Sequence, residues 1–155
     1  MRKLHIFYNE NQSTTENISF SPSAGKPKLF VERIGNHPNV NIVSDFPSIK
    51  KEHLYLVHDK QHVDDVLSLK KINGFDNTIK EVTDTMLWTN ASFLYASVNA
   101  VKLNTCTCSP TNGFHHAEYD GSMAFCTFNG LMLSAKILHD KGYAKRIGIG
   151  MCQHR

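Results

Sequence analysis

The sequence predicts an α/β fold, a three-layer α/β/α arrangement around a mainly parallel sheet. Three observations carry this. Short apolar runs with strand character recur at Lys3–Tyr8, Asn39–Phe46, Thr105–Ser109 and Arg146–Gly150. Stretches of helical periodicity separate them, and such alternation sets successive strands parallel in one sheet. At 155 residues, with 41% hydrophobic and 20% charged side chains, the chain is long and apolar enough for a sizeable core. A single domain over residues 1–155 is therefore expected.

The elements follow in order. Lys3–Tyr8 (KLHIFY) alternates in polarity and reads as a first strand. Asn9–Ser23 is polar and without period, a loop. Lys26–Ile34 reads as a short helix, and Asn39–Phe46 as a second strand bounded by Pro38 and Pro47. Asp59 is a good N-cap for a helix whose stripe is Val63, Val66 and Leu67. His58 and His62 on that segment are expected to be structural. Asn73–Asn77 carries Gly74 and reads as a turn. Leu87, Ala91, Leu94, Val98 and Val101 fall on one face of a core helix, with Trp88 and Tyr95 packing beside it. Thr105–Ser109 reads as a short buried strand. Phe128, Leu131, Met132, Ala135 and Leu138 fit one face of a further helix, which Gly142 ends as its C′ residue. Arg146–Gly150 begins a last strand.

Composition excludes several classes. The net charge of +3 arises from 17 basic and 14 acidic residues without clustering, so no nucleic-acid partner is expected. No apolar run is long enough to span a bilayer, and Leu4–Tyr8 is too short for a secretory core, so a cytoplasmic location is expected. The four cysteines, Cys106, Cys108, Cys126 and Cys152, lack C-x-x-C spacing and read as buried free thiols.

The stretch organising the chain is Gly113–Asn129, GFHHAEYDGSMAFCTFN. It follows a strand end, where ligands bind in open α/β sheets. Two adjacent imidazoles, His115 and His116, suit proton transfer at one reacting centre, because histidine alone has an ordinary pKa near neutrality. Ser109–Gly130 closely resembles the catalytic loop of the zinc-dependent histone deacetylase superfamily, particularly its bacterial members. Weaker matches at Ser23–Ile34, Leu56–Leu69 and Asn73–Asn77, and one at Lys145–Ile149, fall in the family's order. The resemblance covers almost the whole chain, but only the N-terminal half of a family catalytic domain. It implies the arginase/deacetylase fold; arginase-type manganese hydrolases are set aside because their Asp/His metal motifs are absent.

What the resemblance implies is zinc-assisted hydrolysis of an acetylated amine, an acetyl-lysine or acetyl-polyamine. His116 would be the acid/base group, with His115 its companion. Phe125 would wall a narrow channel for a methylene stem, worth about 0.8 kcal/mol per buried CH₂. Gly113, before the histidine turn, would belong to the same channel, and Asp76 would hold the substrate backbone there. Ala124 stands where the family usually has glycine. A larger departure follows the RIGI strand, where members carry Asp-x-Asp-x-His. Here the residues are Gly150-Met151-Cys152-Gln153-His154. His154 falls on the zinc histidine, Cys152 on the zinc aspartate, and Gly150 on the carboxylate that orients one histidine. Cys152 and His154 are the only metal-ligand candidates, and two ligands do not make a catalytic site. Isolated catalysis is therefore not expected. The alternatives are a truncated or decayed binding piece and one half of a split enzyme. A half-domain would also leave a sheet edge open to self-association.

Overall fold

The computed structural model describes residues 3–16 and 21–150. Among these, β1 (Leu4–Phe7) is the centre of a three-stranded sheet in the order β2-β1-β3. Both neighbours are parallel to it. β2 (Val40–Val43) pairs Leu4 with Val40 through Phe7 with Val43, and β3 (Thr107–Cys108) pairs His5 with Thr107 and Ile6 with Cys108. Parallel pairing needs a crossover, and α1 (Lys26–Ile34) supplies the one between β1 and β2. The fold is the α/β class with a parallel sheet that the sequence predicts.

The helical side is built on α4 (Lys80–Leu103), 24 residues long. Its Val82, Met86, Ala91 and Leu94 join Phe7, Phe46, Leu54, Val63, Val66, Phe128 and Leu133 in one core. Trp88 and Tyr95 both pack on Phe46, with ring centroids 6.4 and 5.5 Å away. Asn104 takes a left-handed conformation, φ 47°, and closes α4 just before β3. A short helix α2 (Lys51–Leu54), without an apolar period of its own, leads to α3 (Lys60–Leu67). Asp59 caps α3, its carboxylate accepting the His62 backbone N–H at 2.8 Å. α5 (Gly130–Asp140) ends at Gly142, φ 70°, where the Tyr143 N–H reaches back to the Leu138 carbonyl.

Four expectations need correction. Arg146–Gly150 is exposed and belongs to no strand among the described residues. A strand exists only through a partner; Ile147–Gly150 instead lies beside Phe93, Leu131 and Leu138 on α4 and α5. The face of α5 is rotated. Leu133, Ser134 and Leu138 are buried while Met132 is 49% exposed. Phe128 precedes the helix, and counting a 100° period from a residue outside it turns the predicted face. Val101 is 42% exposed because the last turns of α4 pass beyond the core. The strand at Thr105–Ser109 shrinks to two half-buried residues, which leaves Cys106 an exposed thiol, Cys108 half-buried and Cys126 buried.

Candidate functional site

The path from β3 to the histidines is fastened from beneath. Ser92 on α4 donates to the Phe7 carbonyl at 2.6 Å and hydrogen-bonds the Ser109 hydroxyl. The fully buried Gln12 donates through Nε2 to the Pro110 carbonyl at 2.7 Å. The histidines then sit at the tip of a β-turn closed by the Ala117 N–H to the Phe114 carbonyl, 3.1 Å. Phe114 and Ala117, the turn's two ends, are buried, and Phe114 packs edge-on against Phe93 at 5.3 Å. Buried ends and a polar tip present His115 and His116 at the surface, with ring centroids 4.0 Å apart.

A second turn opposes this one. Met123–Cys126 closes by the Cys126 N–H to the Met123 carbonyl, 2.8 Å. Both central residues have positive φ, 49° at Ala124 and 63° at Phe125. This is the backbone of a type I′ turn, for which Asn-Gly is the favoured pair. Ala124 is exposed, and its cost is the positive φ of its backbone. Phe125 stacks edge-on against Phe75 at 5.6 Å.

The 73–77 loop clamps this turn. The Phe125 N–H donates to the Gly74 carbonyl at 2.7 Å, and the Gly74 N–H donates to Thr127 Oγ1 at 2.9 Å. A Cβ on Gly74 would lie 2.5 Å from the Cys126 carbonyl oxygen, so only glycine permits the approach. Asp76 stands exposed at the tip of that loop with φ 58°. Gly113 has a similar constraint: its Cβ would lie 2.6 Å from Cys126 Sγ. Burial pushes the Cys126 thiol pKa up, so the sulfur packs as a neutral group.

The far side is held by two histidines that the sequence marked only as structural. His58, 1% exposed, accepts the Asn129 N–H at Nε2 (2.8 Å) and donates from Nδ1 to the Tyr119 carbonyl (3.2 Å). Both ring atoms are engaged, which fixes the neutral tautomer, and burial lowers its pKa. His62, also buried, lies 3.3 Å from Ser122 Oγ, and its pKa falls to about 4, first through burial and then through Lys71 and His58. Asn129 accepts the Met132 N–H as the N-cap of α5 and donates Nδ2 to the Ala117 carbonyl. One side chain thus joins the helix start to the histidine turn. Its N-cap role was legible from an Asn before an apolar run; the bracing by His58, Gln12 and Gly74 had no local signal.

Phe75, Thr89, Asn90, Gly113, Phe114 and Phe125 are among the residues lining a small cavity between α4 and the two turns. Neither imidazole lines this cavity; both histidines are exposed at the tip of their turn. Among the described residues no three His, Cys, Asp or Glu side chains group to hold a metal ion. Cys152 and His154 lie outside the described residues.

No curated protein matches the chain. The chain is similar in fold to the HD domain of HDA15, known from a crystal structure, with a TM-score of 0.71 and 16% identity. The match covers 91% of this chain and 44% of that one, so the chain spans less than half of the structure it matches. A family model for the histone deacetylase domain matches residues 23–149, which include the histidine turn, the Phe125 turn and the loops that clamp them. On that match, the chain belongs to the histone deacetylase domain family.

Proposed function

We propose that this chain corresponds to the N-terminal half of a zinc-dependent amide deacetylase, and that it carries the acid/base and channel-wall parts of the site. The observation that supports this best is the pair of opposed turns, with His115 and His116 at the tip of one and Phe125 on the other, each clamped by surrounding loops. In this reading His116 passes a proton between the attacking water and the leaving amine, and His115 places positive charge beside it. Phe125, against Phe75, gives an aromatic wall for the methylene stem of an acetyl-lysine or acetyl-polyamine. Gly113 would belong to the same channel, and Asp76 would hold the substrate backbone. In the family, zinc supplies Lewis-acid polarisation of the amide carbonyl and lowers the pKa of its water to about 7. The described residues do not fit that ion, and Gly150 and Cys152 stand where the family uses carboxylates. In this reading the chain contributes acid/base and channel-wall residues and does not turn over substrate alone.

A second reading, a non-catalytic binding piece or one half of a split enzyme, is favoured by the short outer strand β3 and the exposed Leu103, Met132, Ile147 and Ile149. An unpaired strand edge is a template for another chain. Metal analysis and acetyl-lysine turnover of purified protein test the proposal. The expected result is substoichiometric zinc and residual turnover unchanged by His116→Ala. Stoichiometric zinc, with turnover lost in that variant, overturns the expectation of inactivity. Activity that appears only on adding a second polypeptide selects the split enzyme.

A further inference from the structure

We infer that the cavity between α4 and the histidine turn is a binding site for one ordered water molecule, which bridges Thr89 and Asn90 to the segment carrying His115 and His116. Three observations converge. The cavity holds about 20 Å³, and a water needs roughly 10–15 Å³ of such space. Thr89 Oγ1 and Asn90 Oδ1 are buried and have no hydrogen-bond partner among the described residues. Both residues line this cavity, and they are 5% and 2% exposed.

The chemistry of the walls selects water over an apolar occupant. Asn90 Nδ2 already donates to the Met86 carbonyl at 2.9 Å, which leaves Oδ1 as a pure acceptor. Thr89 Oγ1 can donate or accept. A water donates one proton to Asn90 Oδ1 and accepts from Thr89 Oγ1, and its second proton faces the wall formed by Asn112 and Gly113. Buried waters make two to four such bonds, and a buried polar atom left without one is costly. Much of the remaining lining is apolar, Phe75, Phe114 and Phe125 among it, while Thr85 Oγ1 already donates to the Val82 carbonyl and Thr127 Oγ1 already accepts the Gly74 N–H. The water therefore couples the helix to Gly113, two residues before the first histidine, and sets how firmly the turn is seated. This holds whatever reaction the turn serves.

The test turns on a sign. Thr89→Val keeps the shape and removes the hydroxyl. If the site is hydrated, the variant loses a hydrogen bond, and Tm falls by about 2–4 °C, the shift such a loss produces in a domain of this size. If the site is dry, the variant removes an unpaired polar group, and Tm rises. Independently, wild-type protein should show NMR cross-peaks between a long-lived water and the amide protons of Gly113 or Phe114. Thr89→Ser, which retains the hydroxyl, should keep them. If Thr89→Val does not fold, the wild-type and Thr89→Ser spectra decide the matter. A Tm at or above wild type in Thr89→Val, or no water cross-peak in the wild type, overturns the inference.

Discussion

Acidification should destabilise this chain through His62, by an amount the structure sets. His62 is 2% exposed, its Nδ1 has no partner among the described residues, its Nε2 lies 3.3 Å from Ser122 Oγ, and its ring packs beside those of His58 and Phe128. Burial, Lys71 and His58 hold its pKa down from 6.5 to about 4, while the acidic neighbours Asp120 and Asp59 oppose the shift. The sign follows from linkage. Above pH 6.5 the ring is neutral in both folded and unfolded chains. Below it the unfolded chain takes up a proton that the folded chain refuses, so stability falls until the pH reaches the folded value near 4. At about 1.36 kcal/mol per pH unit this amounts to roughly 3 kcal/mol, a large part of the 5–15 kcal/mol (approximate range) that holds a domain together. The assay is urea unfolding between pH 7.5 and pH 4 (approximate limits, chosen to span the shift), followed by fluorescence of the single tryptophan, Trp88. His62→Gln keeps an amide for Ser122 and does not titrate. His58 is also depressed and contributes to the slope in both proteins, so the difference between them reports His62 together with its interaction with His58. Wild type should lose about 3 kcal/mol more than the variant over that interval. Parallel pH profiles would refute the reasoning.

Other consequences are as specific. Ala124→Gly relieves a positive φ of 49° and should raise unfolding stability by about 1 kcal/mol in chemical denaturation, whereas a β-branched residue there should lower it. Gly74→Ala drives a Cβ to within 2.5 Å of the Cys126 backbone; since that backbone cannot yield, the two loops should separate, at a cost of about 1–3 kcal/mol and with faster amide exchange at Phe125. Asp59→Ala removes the α3 cap and should cost about 1 kcal/mol, read by the same denaturation. Sedimentation at rising concentration should show self-association through the outer sheet edge, and a strictly monomeric chain would count against that edge being available.

Local patterns carried much of this fold into the sequence. Lys26–Ile34 is a helix in both, Asp59 caps the helix it was expected to cap, and Gly142 ends α5 with the left-handed φ its residue type permits. Such features depend on a few neighbouring residues and on backbone sterics, so they are legible without a fold. The histidine turn was legible too, because its residue string is unusual and because the buried Phe114 and Ala117 flank a polar pair.

The tertiary structure decided everything that depends on what stands across a gap. Arg146–Gly150 has strand composition but no strand, since strand formation needs a partner edge and the segment lies on α4 and α5 instead. The face of α5 depended on where the helix begins, which Asn129 fixes by bonding at once to Met132 and to Ala117. His58 and His62 were readable as structural, but not as the pins of the histidine loop, because Asn129 and Tyr119 lie 71 and 61 residues from His58 in the chain. Gly74 was readable as a turn residue and Gly113 as the residue before the histidine turn, but not the reason for either; the Cys126 backbone and sulfur, packed where their side chains would be, are what require glycine. Period and capping are set by bonds a few residues apart and survive in a string of letters; clamping is set by contacts that exist only once the chain has closed on itself.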